Sequence, residues 1–580
     1  MRLIFLFVIA SLLSAAEVTP QFRDPQRAAK LKAALPEIEK VFERYHRERG
    51  LPGSAWGVVI DGELVYTKQF GVRERKGNDA VTADTAFRIA SMTKSFTAAA
   101  LLKLRDEGKL SLEDPVEKWI PEFKGYRYPT ADTAASRVKQ LVSHGAGFPE
   151  DNPWGDRQLA EPDAVLARWV KEGIPFSTPP DTEYEYSNYG FALAGRVIQK
   201  ASGMTYRDYV EKKILAPLGM TGSSLEPKAL PEKARAVGYG RRGREEYFEI
   251  DSLAHGSFGA MGGLVTTSKD LAKWVAYMLS AFPARDEAEG GPVKRASLRE
   301  MQRLQRTSNF FAERSGPNNG LRATAGGYGY GLGVSQDCRF GHIVGHGGGL
   351  PGFGSYMMWL PEYGVGMFAM TNLTYQGPSP ALSEAFDVLL GTGALQARAL
   401  PASPVLTATR DALWGLWQKW DDGKFEKLAA NNLFLDLPAA DRKREIEQVQ
   451  AQVGKCEAPG DVEAENWLRG QFRMNCERGE VVGSFTLAPT APPTVQYLRF
   501  AAVGKMDSKL KSGAEEWLRG AGAALGECRL GPVLMGDGKS MVRVRLDCAR
   551  GPVAINFRMD GEGKVQAGSP QRGPGARCAP

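Results

Sequence analysis

The sequence is poor in histidine and cysteine, and the placement of these residues narrows its chemistry. The 580-residue chain has five histidines and six cysteines. No histidine follows His346, and no two histidines have the spacing of a zinc-binding pair, so we predict neither a metal site nor a cofactor. No cysteine precedes Cys338, which excludes a lipid-modified cysteine near the N-terminus.

The sequence also lacks dense blocks of one charge. The formal net charge of +7 is spread over a large chain, without a Lys/Arg cluster or a platform of alternating aromatic and basic residues. Binding to nucleic acid requires such a surface, so we predict no nucleic-acid partner. We expect a small-molecule substrate instead.

Long apolar runs are absent except at the start of the chain. Residues 3–13 are apolar, Arg2 precedes them, and the small residues 14–16 follow. This pattern predicts a signal peptide over residues 1–16, and hence a secreted or periplasmic protein in an oxidising compartment. A membrane anchor is the alternative, but the run is well short of the about 20 residues that span a bilayer, so we expect no stable membrane span.

The order of predicted elements indicates an α+β fold. A charged amphipathic helix over residues 27–49 is followed by two apolar strands around Asp61-Gly62, a strong hairpin signal. The pattern is helical from residue 91 to about 281, and strands then return up to residue 372. A doubly wound fold would alternate strands and helices throughout. We therefore predict a mixed, mainly antiparallel sheet built from both ends of a domain over residues 30–395, with a helical subdomain between them.

A linker over residues 396–408, with Pro401 and Pro404, is predicted to lead into an internal repeat. Eight identities recur with a period of 72. They are Gly454, Cys456, Arg473, Cys476, Arg478, Gly479, Val481 and Phe485, matched by Gly526, Cys528, Arg545, Cys548, Arg550, Gly551, Val553 and Phe557. We predict a duplicated small α+β module, with copies over residues 409–500 and 501–570.

The repeated cysteines are predicted to form one disulfide in each copy. Cys456 would pair with Cys476 and Cys528 with Cys548, since each bond would close a short local loop. Metal or redox chemistry is the alternative, but the spacing is not C-x-x-C. The pairing of Cys338 and Cys578 is left open. From its position, we expect the module to serve binding or dimerisation.

Ser91 and Lys94 form the first candidate catalytic pair. They stand at i and i+3 at the start of an apolar helix, so their side chains share one face. The helix N-terminus supplies amide donors that favour a developing anion. A partly buried Ser/Lys pair in this position is typical of an activated serine nucleophile.

Two further S-x-x-K pairs show that this spacing alone is weak evidence. Ser136 is followed by Lys139, and Ser508 by Lys511. The second pair overlaps a K-S-G string on one polar stretch, so these motifs cannot face each other across a cleft. We interpret both pairs as solvated helix surface.

Tyr186 and Asn188 form the second candidate group, in a loop just before an apolar helix. A phenol whose pKa is lowered by neighbouring cations can act as a general base, and Asn188 could orient both the lysine and the substrate. The alternative is a helix cap by Ser187 or Asn188, with Tyr186 in the core.

The glycine-rich string GHGGGLPGFGS, residues 345–355, is the third candidate. Its His-Gly-Gly-Gly resembles the oxyanion loop of α/β-hydrolases, but no G-x-S-x-G turn and no histidine follow it, so a triad could not close. A phosphate-binding loop would need a lysine and a βαβ context that are missing.

Taken in order, Ser91-x-x-Lys94, Tyr186-x-Asn188 and His346-x-Gly348 resemble the serine β-lactamase and penicillin-binding protein superfamily. The nearest likeness is to its branch of class C β-lactamases, D-aminopeptidases, DD-carboxypeptidases and family VIII esterases. It extends over residues 35–395 and includes LVSHGAGFP (141–149), MGGLVTTSKDLAKW (261–274) and LPEYGVGMFAMTN (360–372).

The resemblance implies a β-lactamase/transpeptidase-like fold and a serine hydrolase that forms an acyl-enzyme. Ser91 would attack the carbonyl carbon, Lys94 and Tyr186 would exchange protons, and Asn188 would hold the network. The backbone amides of Ser91 and Gly349 would form the oxyanion hole. The glycines after His346, including Gly348, would let the backbone approach the acyl group.

One departure from the family pattern concerns the substrate. His346 stands where many β-lactamases and carboxypeptidases carry a lysine, and histidine is mostly neutral at pH 7. Esters, amides or D-amino-acid peptides therefore become at least as probable substrates as β-lactams. A non-catalytic binder of cell-wall peptides is the rival hypothesis, although the intact Ser91, Lys94 and Tyr186 argue against it.

Overall fold

The computed structural model describes residues 19–315, 320–337, 339–525, 528–548 and 553–568. The predicted signal peptide, Cys338 and Cys578 lie outside these residues. The chain divides into two compact units. The first takes the described residues of Asp24–Gly316 and Arg322–Ala397, and the second takes those of Met1–Arg23, Pro317–Leu321 and Arg398–Pro580. No helix in the described ranges is both long and apolar enough to cross a bilayer.

The first unit contains thirteen strands and twelve α-helices within its described residues. The strands are β1 (Gly53–Ile60), β2 (Glu63–Glu74), β3 (Asp79–Ala80), β4 (Phe87–Arg88), β5 (Gly238–Arg242), β6 (Glu246–Ile250), β7 (Val265–Thr266), β8 (Arg306–Ser315), β9 (Gly320–Tyr328), β10 (Gly333–Asp337), β11 (Gly341–Leu350), β12 (Phe353–Leu360) and β13 (Val365–Thr371). The helices are α1 (Arg27–Ala33), α2 (Leu35–Arg49), α3 (Thr93–Asp106), α4 (Val116–Trp119), α5 (Val138–Leu141), α6 (Asp163–Glu172), α7 (Asn188–Ser202), α8 (Tyr206–Val210), α9 (Gly259–Gly262), α10 (Ser268–Leu279), α11 (Arg295–Met301) and α12 (Ser379–Gly391).

A nine-stranded sheet joins the two ends of this unit, in the order β3-β2-β1-β13-β12-β11-β10-β9-β8. The neighbouring pairs from β3 through to β9 are all antiparallel. The predicted hairpin is confirmed: Asp61 (φ 51°) and Gly62 (φ 86°) both adopt the left-handed conformation that a tight turn of this kind requires. The predicted sheet built from both ends of the domain is confirmed as well.

Helices cover both faces of this sheet. On one face Phe42 of α2 stacks on Trp56 of β1, with ring centroids 4.4 Å apart. On the other face Phe96 of α3 stacks on Trp274 of α10, with centroids 3.8 Å apart. Helix α3 is buried over almost its whole length, because its middle is built from small and aliphatic side chains. The start of α3 is therefore fixed between the sheet and the helical subdomain.

The second unit contains five helices and eight strands within its described residues. These are α13 (Pro404–Gln418), α14 (Asp422–Leu428), α15 (Asn431–Asp436), α16 (Ala439–Val453) and α17 (Ser508–Leu525), with β14 (Glu463–Asn466), β15 (Arg469–Cys476), β16 (Gly479–Leu487), β17 (Val495–Gly504), β18 (Cys528–Gly536), β19 (Met541–Cys548), β20 (Val553–Met559) and β21 (Val565–Ala567). The strands form one sheet in chain order from β14 to β21.

The period of 72 is visible in the elements themselves. The residues of β15 shifted by 72 are those of β19, and the same shift places β16 on β20 and α16 on α17. The two copies meet where β17 pairs with β18 in parallel, through Val503 and Gly536. The predicted division between residues 500 and 501 falls inside β17, and α13 begins within the predicted linker.

The cysteines of the first copy are bonded to each other, Cys456 to Cys476. In the second copy Cys528 is disulfide-bonded and stands directly opposite Cys548 in the ladder of β18 and β19. The side chain of Cys548 lies outside the described residues.

The two additional S-x-x-K pairs differ in their surroundings. Ser508 and Lys511 are exposed on α17, as predicted. The prediction was wrong for Ser136, which is fully buried. Its backbone pairs with the segment before α4: Arg137 forms a β-bridge with Pro115, and the Ser136 carbonyl accepts a hydrogen bond from Val116 N. This pairing buries the Ser136 side chain.

Candidate active site

Ser91 lies in a tight turn that leads into α3. The turn is a short 3-10 segment, Ala90–Met92, and Ala90 adopts a positive φ of 49° without being glycine. Such a conformation is strained and persists only where its surroundings hold it. Here the Thr93 hydroxyl donates to the Ala90 carbonyl at 2.7 Å, and the Ser355 hydroxyl donates to the carbonyl of Ile89 at 2.9 Å. The Ser91 side chain is therefore presented on a turn that is held by hydrogen bonds.

Lys94 lies one helical turn further along and is completely buried. Its Nζ is 2.9 Å from Ser91 Oγ, 2.6 Å from Asn188 Oδ1 and 3.1 Å from the Met261 carbonyl oxygen. Burial lowers the pKa of Lys94 to about 7, and the nearby negative charges of Asp156, Asp151 and Glu150 oppose this shift. A pKa this far below the ordinary value allows the amine to lose its proton near neutral pH.

Asn188 begins α7 and is held from both sides. Its Nδ2 donates to Asn152 Oδ1 at 2.6 Å, which leaves its Oδ1 for Lys94. Its backbone N–H, and that of Tyr189, donate to the two carboxylate oxygens of Asp151 at 2.7 and 2.8 Å. A carboxylate at this end of a helix also interacts favourably with the helix dipole. Asp151 thus anchors the start of α7 and the asparagine that touches Lys94.

Tyr186 lies beside this pair, with the Lys94 Nζ 4.8 Å from its ring centre. The prediction that neighbouring cations lower the pKa of this phenol is wrong. Burial raises the pKa of Tyr186 well above its ordinary value, and a hydrogen bond with Ser91 opposes the rise only in part. Tyr186 is therefore a neutral phenol at physiological pH, able to pass a proton on but not present as a phenolate.

His144 fastens the loop that carries Tyr186. Its backbone carbonyl accepts from Glu185 N at 3.1 Å, and its Nδ1 accepts from Ser187 N at 3.0 Å. The ring packs against Tyr186 with centroids 4.2 Å apart. Burial lowers the pKa of His144 well below its ordinary value, so its ring is neutral. Ser187 also caps α7 by accepting from Gly190 N, so the helix-cap alternative and the catalytic interpretation both describe this loop.

The glycine-rich string lies mainly on β11 and its hairpin with β12. His346 is buried, and both of its ring nitrogens are engaged. Nε2 is 2.6 Å from the Tyr328 hydroxyl, and Nδ1 is 2.5 Å from the Gly347 carbonyl oxygen. Burial lowers the pKa of His346 to about 3, and the charge of Lys94 acts in the same direction. The His346 side chain is thus electrically neutral at physiological pH.

Gly348 and Gly349 allow β11 to approach the turn that carries Ser91. A Cβ atom on Gly348 would lie 2.2 Å from the Ile89 carbonyl oxygen and 2.3 Å from Ser355 Oγ. A Cβ on Gly349 would lie 2.5 Å from the ring of Tyr375. Both positions require glycine because neighbouring atoms already occupy the space of a side chain.

Ser91, Tyr186 and the glycines of β11 border one open cavity of about 360 Å³. Its lining residues are Ser91, Asn152, Pro153, Asp156, Tyr186, Gly347, Gly349 and Tyr375. Lys94, Asn188 and His346 lie behind this lining. Within the described part of the chain, no three His, Cys, Asp or Glu side chains form a cluster suited to a metal ion.

Four residues around the site were not anticipated from the sequence. Asp151 and Asn152 support Asn188, while Asp156 and Tyr375 line the cavity and are hydrogen-bonded to each other at 3.0 Å. The first three lie in a loop without hydrophobic periodicity, so no local pattern distinguished them from solvated polar residues.

Comparison with known proteins agrees with this geometry. A family model described as Beta-lactamase matches residues 38–391, which is more than half of the chain. The chain belongs to the beta-lactamase family. This confirms the resemblance that was inferred from the three sequence motifs at Ser91, Tyr186 and His346.

Two curated proteins illustrate the relationship of this beta-lactamase family member to others. It is 31% identical over 289 residues to "Beta-lactamase-like protein 2" of Dictyostelium discoideum, covering 48% of this chain and 52% of that protein. It is 27% identical over 345 residues to "Protein flp" of Staphylococcus aureus strain N315, covering 58% and 63%. The chain thus spans between half and two thirds of the length of these relatives.

A solved structure extends the comparison beyond the family domain. The octameric penicillin-binding protein homologue from Pyrococcus abyssi matches with a TM-score of 0.51 and 21% identity, covering 92% of this chain and 98% of that one. At this identity the likeness concerns the fold alone. The predicted fold class is confirmed: an α+β, mainly antiparallel β-lactamase/transpeptidase fold with a helical subdomain, followed by a further β-rich module.

Proposed function

We propose that this protein is a serine hydrolase that cleaves an ester, an amide or a D-amino-acid peptide through an acyl-enzyme on Ser91. The observation that carries the proposal is the 2.9 Å distance between Ser91 Oγ and the Nζ of a buried lysine whose pKa is about 7. Ser91 also borders the open cavity, so a substrate carbonyl can reach its hydroxyl.

The contacts of Lys94 suit a proton acceptor. A neutral amine has two N–H donors and one lone pair. Asn188 Oδ1 and the Met261 carbonyl oxygen accept the two donors, which leaves the lone pair directed at Ser91 Oγ. Lys94 would take the hydroxyl proton as Ser91 attacks, and the neutral Tyr186 phenol would relay a proton to the departing oxygen or nitrogen.

The developing oxyanion would be stabilised by backbone amides. Ser91 and Gly349 border the same cavity, the first on the turn before α3 and the second on β11. Donors fixed in a site of this kind contribute about 2.7–4 kcal/mol each to transition-state stabilisation. Water would then attack the acyl carbon and give up a proton to the neutral amine of Lys94, and this proton would pass to Ser91 Oγ as the ester bond breaks.

The decisive experiment compares two serines that share the same motif. Ser91→Ala should abolish both hydrolysis of a chromogenic ester and covalent labelling by a serine-reactive phosphonate. Ser508→Ala is the matched control, since Ser508 and Lys511 have the same spacing and are both exposed on α17. Full activity of Ser91→Ala, or labelling of the wild type at a different serine, would overturn the proposal.

We also propose that the protein acts outside the cytoplasm. The apolar segment over residues 3–13 supports export, and the Cys456–Cys476 disulfide is of a kind that persists in oxidising compartments. Fractionation of cells that express the full chain, with mass spectrometry of the mature N-terminus, tests this. Recovery of uncleaved protein in the cytoplasm would contradict it.

A further inference from the structure

The cavity in front of Ser91 has a negatively charged side chain in its described lining and no positively charged one. Of the described residues that line it, Asp156 is the only one with a charged side chain. Asp156 is 96% buried by surrounding protein, being 4% exposed. A carboxylate removed from water to this extent requires compensation by a hydrogen bond or a cation. The surroundings of Asp156 therefore bear on what the cavity can bind.

The carboxylate is held by one hydrogen bond, and the charges of Lys94 and Arg157 offset part of the cost of its burial. The Tyr375 hydroxyl donates to Asp156 Oδ2 at 3.0 Å, and among the described residues it is the only hydrogen-bond donor to this carboxylate. Tyr375 in turn packs on Gly349, where no side chain would fit. This contact ties the carboxylate to the strand that would supply the oxyanion hole, within reach of a substrate bound at Ser91.

Neither His346 nor Lys94 is available to bind a substrate carboxylate. Both ring nitrogens of His346 are occupied, by Tyr328 and by the Gly347 carbonyl oxygen. The ammonium of Lys94 is fully buried, and its contacts are made within the protein. Among the described lining residues, the only charged side chain that a substrate carboxylate would meet is Asp156, while Lys94 and Arg157 act on Asp156 from outside that lining.

We propose that Asp156 binds an ammonium group of the substrate, so that the hydrolase prefers esters and amides with a primary amine close to the scissile carbonyl. The inference rests on the proposed serine hydrolase function and names its substrate class. Burial raises the pKa of Asp156 above its ordinary value, and a bound cation would favour the ionised form. A substrate ammonium would add a direct ion pair to the stabilisation that Lys94, Tyr375 and Arg157 already give this carboxylate.

Asp156 also influences Lys94 electrostatically, so the test must separate selectivity from nucleophile activation. Glu150 provides the matched control. It too opposes the lowered pKa of Lys94, but it is not among the residues that line the cavity. Replacing either carboxylate by its amide removes a negative charge near Lys94, whereas only Asp156→Asn removes one from the cavity wall.

The experiment measures kcat/KM at pH 7 for four phenyl esters. Phenyl acetate is the neutral reference, glycine phenyl ester carries an ammonium on the acyl group, 4-(aminomethyl)phenyl acetate carries one on the leaving group, and monophenyl succinate is an anion. We expect at least a tenfold preference for one ammonium ester over phenyl acetate, and the lowest value for the anion. All four esters meet the same nucleophile, so their ratios cancel any effect on Lys94.

In Asp156→Asn the preference for the ammonium ester should fall at least tenfold, while Glu150→Gln should keep it within twofold. Tyr375→Phe removes the hydroxyl donor at a partly exposed residue and should lower the preference for the ammonium ester severalfold. This variant replaces Asp156→Asn as the test if Asp156→Asn does not fold. The inference would be overturned if the wild type hydrolysed both ammonium esters with the same kcat/KM as phenyl acetate. An equal loss of kcat/KM on all four esters in Asp156→Asn would also overturn it.

A second measurement separates this inference from the proposed function. Calorimetric binding of benzylamine should be at least tenfold weaker in Asp156→Asn than in the wild type, whether or not turnover occurs. Ser91-dependent hydrolysis of phenyl acetate without any ammonium preference or benzylamine binding would refute the role of Asp156 alone. Absence of Ser91-dependent hydrolysis of every ester would refute the hydrolase function.

Discussion

The Nε2 atom of His346 lies 2.6 Å from the Tyr328 hydroxyl, and its Nδ1 lies 2.5 Å from the Gly347 carbonyl oxygen. A carbonyl oxygen can only accept, so Nδ1 carries the proton and Nε2 accepts from Tyr328. This arrangement fixes one neutral tautomer of His346. The glycine-rich string around His346 therefore shapes the cavity wall without adding a charge to it.

We therefore predict that His346 does not titrate in the physiological range. Its pKa is about 3, because burial disfavours the imidazolium, so the ring is neutral above that pH. Long-range ¹H–¹⁵N correlation spectra should show an Nδ1-protonated ring that is unchanged between pH 5 and 8. The chain has five histidines, and the spectrum of His346→Gln assigns the signal. A midpoint near pH 6.5 for this ring would contradict the prediction.

The pH dependence of ester hydrolysis should report Lys94. The neutral amine is the proton acceptor, and burial lowers its pKa to about 7, so kcat/KM should rise with pH through about 7 and then level. Lys94→Arg, which keeps the charge but cannot lose its proton, should reduce kcat/KM by about 10²–10⁴-fold. Glu150→Gln removes a charge that raises this pKa, so its midpoint should move to lower pH. A midpoint unchanged or moved upward would exclude Lys94 as the titrating base.

His144 is predicted to act as a positioning residue for Tyr186. Its left-handed backbone (φ 56°) and its Nδ1 acceptor together hold the loop before α7. Asparagine tolerates this conformation and offers a side-chain oxygen in a similar place, whereas alanine offers neither. We expect His144→Ala to lower kcat at least tenfold with KM little changed, and His144→Asn to recover most of the loss. Equal activity of the two variants would mean that the loop does not depend on this hydrogen bond.

The sequence was most informative for site residues that lie close together in the chain. Ser91 and Lys94 are one helical turn apart, so their shared face follows from helix geometry alone, and Tyr186 and Asn188 immediately precede or begin an apolar helix. The hairpin at Asp61 was equally predictable, because its turn residues and flanking strands are contiguous.

Interactions between distant segments could not be read in the same way. The pairing of His346 with Tyr328 depends on the order of strands in the sheet, and the support of Asn188 by Asp151 joins residues 37 apart in the chain. The pKa of Tyr186 was misjudged because the sequence shows a neighbouring cation but not the extent of burial. Ser136 was misjudged for the same reason.

The disulfide of the C-terminal module is predicted to stabilise that unit without affecting catalysis. Cys456 and Cys476 are 20 residues apart, and a cross-link that closes a loop of this size contributes about 3 kcal/mol to the free energy of unfolding. The residues that line the cavity all belong to the first unit. We therefore expect Cys456→Ser/Cys476→Ser to lower the unfolding transition of the second unit in calorimetry and to leave ester kinetics unchanged. A matched loss of kcat/KM in the folded double variant would show that the module takes part in catalysis, and an unchanged transition would show that the bond does not stabilise it.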